Sequence, residues 1–310
     1  MAKITIIGAG MVGSTSAYSI ITKDIAQEIA VVDINEQLAR AQVMDMQHSV
    51  PFFGFTKVKV GTYEDIKDSQ IVVMCAGSAQ KEGQTRLDLI KKNSALVREI
   101  TPKIFEMNPD VILVMVTNPV DILTYVAIQS VPEKKRQILG TGTLLDSARF
   151  RHLLGERLNI NPRSIHAYIV GEHGDSELPF WSTAVTGSMN INECEILPES
   201  EKERIFEEAK NAAYSIIAGK QATYFAIGAG VAHLCNAILN NKRIILPVSH
   251  LMEGEFGIKD MCLSVPVVVG KEGVSGHVCI TFSEKEQEQL QMSAETLKKA
   301  LEEMKDEENK

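Results

Sequence analysis

Ile4-Thr5-Ile6-Ile7-Gly8-Ala9-Gly10-Met11-Val12-Gly13 is the stretch that decides the fold. Four β-branched residues favour an extended strand. The glycines that follow suit a tight turn directly into a helix. In G-x-G-x-x-G the first glycine makes the turn, the second lets a phosphate approach the backbone, and the third brings helix against strand. Gly8, Gly10, Val12 and Gly13 are therefore the expected phosphate-side contacts. The pattern alone also fits a flavin or S-adenosylmethionine site. The next strand, Ile29–Asp33, ends on a carboxylate about 20 residues further on, which suits ribose hydroxyls and repels a 2′-phosphate. NAD is the expected cofactor.

Outward from this unit, apolar runs recur at Lys57–Val60, Ile71–Cys75, Val111–Val116 and Gln137–Gly140. Segments of helical length and spacing, such as Val12–Ile21 and Leu87–Phe105, separate several of them. Strand–helix alternation predicts an α/β fold with a doubly wound parallel sheet covered on both faces. The second half reads differently. Helices are expected at Leu144–Leu158 and Lys202–Ala218, a strand at Ile165–Gly171, and an antiparallel hairpin from Val265–Gly270 and His277–Phe282. Leu290, Ala294, Leu297, Leu301 and Met304 recur at helical spacing in a final amphipathic helix. The expected organisation is a dinucleotide-binding domain at 1–141 and an α+β substrate domain with antiparallel strands at 142–310, with a soft seam near Gly140–Gly142.

Composition narrows the function classes. Hydrophobic residues at 45% and charged residues at 23% exclude a disordered chain. A net charge of −8 argues against nucleic acid or an anionic membrane as partner. Ile4–Ile7 is too short for a signal or spanning segment. The five cysteines are scattered without a C-x-x-C pair, and no two histidines stand three or four apart. A disulfide framework and a local metal clamp are not expected, and the reading is a cytoplasmic protein with no metal.

Three segments carry groups suited to chemistry. Gly171-Glu172-His173-Gly174-Asp175-Ser176-Glu177 places a histidine between glycines at a strand end. Leu145-Asp146-Ser147-Ala148-Arg149 puts an acid and an arginine three apart on a helix, a spacing that also fits a plain surface ion pair. Gln80-Lys81-Glu82-Gly83-Gln84-Thr85-Arg86 is by itself a solvated loop.

Together with Val116-Thr117-Asn118-Pro119-Val120-Asp121-Ile122-Leu123-Thr124-Tyr125, these segments resemble the L-lactate and malate dehydrogenase family over essentially the whole chain. The resemblance implies a 2-hydroxy acid oxidoreductase. His173 would exchange the substrate proton and Asp146 would orient the imidazole. Arg149 would clamp the substrate carboxylate, and Arg86 would polarise the carbonyl from a closing loop bounded by Gly77 and Gly83. It also implies that Asn118 meets the reacting oxygen and that Thr223 and Ile227 line the substrate and nicotinamide. Tyr63, Gly77, Ser78 and Thr117 would be further cofactor contacts. Leu38 departs from a basic residue common in relatives, and Ala79 and Gln84 from commoner polar or charged loop residues.

The position that meets the far end of the substrate is Gln80, where malate enzymes carry arginine. A neutral amide suits the methyl of pyruvate and leaves a second carboxylate unpaired, so pyruvate and L-lactate are the expected pair. Lys81 is adjacent, which keeps malate or another L-2-hydroxy acid open, and the alternative from another class is a catalytically silent NAD-binding protein. Arg151 and His166 match positions that bind fructose 1,6-bisphosphate in allosteric bacterial relatives. The short run before the first strand also resembles the bacterial form. The family further implies a homotetramer.

Overall fold

In the computed structural model the described residues are 2–78, 86–193, 195 and 197–308; the side chains of Arg86, His277 and residues 305–308 lie outside the description. Strands β1 (Lys3–Ile7), β2 (Glu28–Val32), β3 (Lys57–Val60), β4 (Ile71–Met74), β5 (Ile112–Met115) and β6 (Ile138–Gly140) are parallel. They lie in the order β3-β2-β1-β4-β5-β6. Every residue of β1, β4 and β5 is buried, as expected for strands covered on both faces by helices. The covering helices here are α1 (Met11–Thr22), α2 (Glu36–Ser49), α3 (Arg86–Met107) and α4 (Val120–Ser130). The chain builds outward from β1 to β3, then returns to place β4 on the other side of β1. That reversal opens a crevice at the carboxyl ends of the strands.

The second half contributes α5 (Leu144–Leu158), β7 (Ile165–Val170), β8 (Leu178–Thr186), β9 (Met189–Asn190), α6 (Glu199–Lys220) and α7 (Phe225–Leu239). It ends with β10 (Ile244–Glu253), β11 (Lys259–Gly270), β12 (Gly273–His277) and α8 (Glu284–Glu308). Strands β7, β8 and β9 form an antiparallel sheet of their own. The antiparallel set β10–β12 instead extends the first sheet, because Gly140 of β6 pairs with Met115 on one side and Ser249 on the other. Among the described residues, this makes one nine-stranded sheet.

The terminal hairpin differs from its sequence reading. Its second strand is Gly273–His277, because only Lys271 and Glu272 separate it from β11 and the ladder starts at once with Gly270 opposite Gly273. The apolar residues of His277–Phe282, read as the second strand, have another role. Phe282 is buried by stacking on Phe180, with ring centroids 4.1 Å apart. In α8, Leu290, Ala294, Leu297, Leu301 and Met304 are all buried, and the helix packs on α3, α4, β8 and β11.

The opening turn has no spare room. A Cβ on Gly13 would sit 1.8 Å from the carbonyl oxygen of Gly8, so α1 lies against the turn that precedes it. Gly13→Ala is expected to lower stability by about 3 kcal/mol, the upper range for overpacking, with a matching fall in the urea midpoint. A midpoint within experimental error of the wild type would contradict the close packing.

Candidate active site

The functional positions read from the first half all follow strand carboxyl ends. Gly8 follows β1 with φ +107°, a left-handed conformation suited to glycine, and a Cβ there would lie 2.7 Å from the Ala76 nitrogen. Gly10 has no atom within 4 Å of where its Cβ would stand, and no acid occupies the first turn of α1. The free N–H groups of that turn therefore face open space without a competing anion, a cradle that fits a pyrophosphate. Val12 lies in the same turn, half-buried against the core. Asp33 follows β2, and its two oxygens accept from the backbone N–H groups of Ala9 at 2.6 Å and Asn35 at 2.8 Å. These bonds hold the carboxylate beside the glycine turn, where ribose hydroxyls would reach it. The residues fit a bound dinucleotide.

Tyr63 follows β3 and is half-buried. Gly77 and Ser78 follow β4, and Thr117 and Asn118 follow β5. Thr117 donates from its hydroxyl to the carbonyls of Met74 and Ala76, and a Cβ on Gly77 would come within 2.3 Å of its methyl. One residue not singled out in the sequence joins these loops. Asn93 on α3, fully buried, accepts from the Ser78 N–H at 2.9 Å and donates to the Asn118 carbonyl at 3.0 Å. A polar residue on the inward side of a helix was its only sequence signal. Asn118 itself stays exposed at the crevice.

The histidine is placed by three other elements. Gly171 follows β7 with φ +92°, and its backbone exchanges hydrogen bonds with Ser264 of β11 at 2.8 and 2.9 Å. A Cβ at Gly171 would meet the Ser293 hydroxyl of α8 at 2.7 Å, and that hydroxyl accepts from the Glu172 N–H. The His173 N–H then donates to Asp121 of α4 at 2.7 Å. The orienting acid is equally fixed, since Thr143 and Ser147 at the start of α5 hydrogen-bond the backbone of Ile169 in β7. Asp146 consequently lies under the ring, with its Oδ2 2.6 Å from His173 Nδ1.

Asp146 is buried in the first turn of α5. Burial opposes its charge, yet the imidazole and the Arg149 guanidinium hold its carboxyl below the usual carboxylate range. Burial likewise opposes imidazolium at His173, but the charge and hydrogen bond of Asp146, helped by Asp121 and Glu177, raise it to about 9. Arg149 donates from Nη1 to Asp146 Oδ1 at 2.8 Å. Its Nε is buried without a protein partner, so the chain does not fill the hydrogen-bonding capacity of the guanidinium. The site thus holds a charged acid–base histidine and an unsatisfied guanidinium donor beside a nucleotide cradle.

Residues 2–140 match the family model for the lactate/malate dehydrogenase NAD-binding domain, and residues 143–308 match its alpha/beta C-terminal domain. The chain belongs to the lactate/malate dehydrogenase family. Among curated members, it is 43% identical over 304 residues to L-lactate dehydrogenase of Acetivibrio thermocellus, covering 96% of each. It is 42% identical to L-lactate dehydrogenase 1 of Clostridium acetobutylicum, covering 96% of this chain and 97% of that one. Among solved structures, a lactate dehydrogenase enzyme from a Medee basin deep-sea metagenome library superposes with TM-score 0.94 at 36% identity, covering 98% and 99%. The minor L-lactate dehydrogenase from Enterococcus mundtii gives TM-score 0.94 at 37%, covering 97% and 98%. The resemblance read from the motifs therefore holds at the level of the family, its NAD-binding domain and its fold.

Other family positions land as follows. Thr223 precedes α7 and Ile227 lies in its first turn; both are half-buried. Gln80, Lys81 and Gly83 lie outside the described residues, as do Ala79 and Gln84, and Arg86 is described only as the first residue of α3. Asp121 and Glu177 stood inside quoted motifs without an assigned role. Both are buried, and both reach His173.

The raised His173 sets a testable pH dependence. An imidazole held at about 9, against 6.5 when unfolded, stabilises the native state fully below 6.5 and loses that contribution as pH rises through 9. The gap in Tm between wild type and His173→Gln should therefore narrow as pH rises from 7 to 10. A gap constant across that range would mean that the pair is not charged in the native state.

Proposed function

We propose that this chain is an NAD-dependent L-lactate dehydrogenase, interconverting pyruvate and L-lactate. The observation that carries the reading is the His173–Asp146 contact at 2.6 Å beside a half-buried Arg149 whose Nε lacks a partner. Gly8, Gly10, Val12, Gly13 and Asp33 would hold the pyrophosphate and ribose, with Tyr63, Gly77, Ser78, Thr117, Asn118 and Ile227 along the rest of the dinucleotide. When bound, the nicotinamide supplies or receives the hydride.

The chain's own residues supply the rest. With Asp146 accepting from Nδ1–H, Nε2 is the atom of His173 that gives a proton to the carbonyl oxygen or takes it from the hydroxyl. Arg149 pairs the substrate carboxylate and so fixes which face of the reacting carbon is presented. Asn118 lies within the crevice to bond the same oxygen, and Arg86 stabilises charge developing there. Gln80 and Thr223 line the remainder of the substrate. Gln80 supports pyruvate over oxaloacetate, because a second carboxylate would lack a cation. In NADH-dependent assays, kcat/KM for pyruvate should exceed that for oxaloacetate, and Gln80→Arg should move the ratio toward oxaloacetate by at least 10²-fold, the scale set by about 3–5 kcal/mol for a broken buried pair. A wild type that prefers oxaloacetate would sink the assignment.

Fructose 1,6-bisphosphate is proposed as an activator bound through Arg151 and His166. Arg151 lies in a concentration of positive charge: burial, then Lys23, Arg151, Lys242 and Arg163, all depress His233. His166 is exposed on β7, two residues from Tyr168, which also feels Arg151. A homotetramer is proposed alongside, supported by bare apolar side chains such as Phe52 at 83% and Phe55 at 98% exposure. We also place the protein in the cytoplasm, serving fermentative glycolysis. The four described cysteines are unpaired, and among the described residues no helix is long and apolar enough to cross a membrane. Light scattering should give four times the chain mass, and added bisphosphate should lower the KM for pyruvate. An unchanged KM and unchanged mass would remove the regulatory part.

A further inference from the structure

Glu177 is a carboxylate the mechanism above does not use. It lies in the connection from β7 to β8, is only 7% exposed, and its Oε1 is buried without a hydrogen-bond partner. Ligand-type atoms of Asp146, His173 and Glu177 all lie within 4.8 Å of one another. Such a trio can hold a metal, but here the Arg149 guanidinium already donates to Asp146, and an added divalent cation would face it at close range. The cluster is better suited to protons.

The charged neighbours of this carboxyl come from three directions. Asp146 and Arg149 approach from α5, His173 from the same connection, and Lys210 from α6. Asp121 of α4 accepts from the His173 backbone, and Glu172 bears in turn on Asp121. Asp175 is exposed and accepts from the Tyr214 hydroxyl of α6. Glu177 is thus an acid beside the ring with one oxygen unpartnered; Asp121 Oδ1 also lacks a partner, but its Oδ2 is held by the His173 N–H.

We propose that Glu177 is a positioning residue for the proton transfer, an interior carboxyl whose ionisation strengthens the hold of His173 on its proton. Burial and the nearby Asp146 charge push Glu177 up to about 8, so it is mainly neutral at pH 7. As pH rises through about 8, it ionises and adds negative charge beside the imidazole. That charge keeps His173 protonated, favouring reduction of the carbonyl and opposing oxidation of the hydroxyl. Neutral at lower pH, it lets His173 release its proton more readily.

The proposal rests on His173 as the acid–base group and is tested by Glu177→Gln, which keeps the shape and removes the ionisation. The imidazole of His173 in the full-length variant, followed by NMR titration, should titrate about one pH unit lower than in the wild type. This readout needs no turnover, so it separates a failed coupling from a wrong substrate assignment. In pyruvate reduction, the ratio of kcat/KM at pH 9 to that at pH 6 should fall about fivefold, the change produced by moving a midpoint from 9 to 8. Glu177→Asp, which retains an ionisable group, should bring the ratio back toward the wild type. Equal midpoints in wild type and Glu177→Gln, or a loss of activity uniform across pH, would overturn the proposal.

Discussion

The bond between Asp146 and His173 is the interaction on which the site depends. A buried carboxylate is tolerated only where a cation and hydrogen bonds compensate it, and here both come from residues presented by separate elements. Asp146 rides on the first turn of α5, where the unpaired N–H groups also favour a negative charge. His173 rides on the end of β7. The hydroxyls of Thr143 and Ser147 hold these two elements together through Ile169, within a few residues of both partners. A shift of α5 along β7 would lengthen the 2.6 Å contact and leave two uncompensated groups in the interior.

The electrostatics of the pocket follow from that pair. Two more acids, Asp121 and Glu177, lie close enough to influence the imidazole, yet burial pushes them up to about 6 and about 8. At neutral pH Asp146 and Asp121 are then mainly anionic, Arg149 and His173 cationic and Glu177 mainly neutral, so two anions stand against two cations. A neutral Glu177 leaves the cluster without net negative charge to repel a substrate that brings one carboxylate. The partner of that carboxylate would be the Arg149 guanidinium, whose hydrogen-bonding capacity the folded chain does not fill.

Much of this was legible in the sequence, and the reasons are local. The run Ile4–Ile7 with its glycines, and Asp33 at the end of the next strand, specify a strand–turn–helix unit through short-range sterics, and the unit stands where it was read. Asp146 and Arg149 are three apart on one helix, so spacing placed them on one face. What stayed hidden depends on distant packing. Asn93 joins loops 15 and 25 residues away, and no pattern along α3 signals that role. Phe282 reads as a strand residue because an apolar residue near a glycine turn suits a hairpin, and stacking on Phe180 buries it outside any strand. The continuation of the first sheet into β10–β12 was likewise invisible, since Ser249 and Gly140 meet across more than a hundred residues.

That continuation bears directly on the chemistry. The dinucleotide cradle belongs to β1, β2, β4 and β5, whereas the proton-exchanging ring hangs from β7 in a different sheet. Hydride and proton must reach adjacent atoms, so the two supports have to keep a fixed distance. Gly171 meets this demand by pairing with Ser264 in β11, which is laddered to β10 and, through Ser249, to β6. The His173 N–H adds a second tie, to Asp121 on the helix that leaves β5. The first tie is backbone to backbone and insensitive to side-chain rotamers, and the second is accepted by the buried Asp121 carboxylate. The acid–base group is therefore registered to the nucleotide crevice by the same hydrogen-bonded framework that builds the fold.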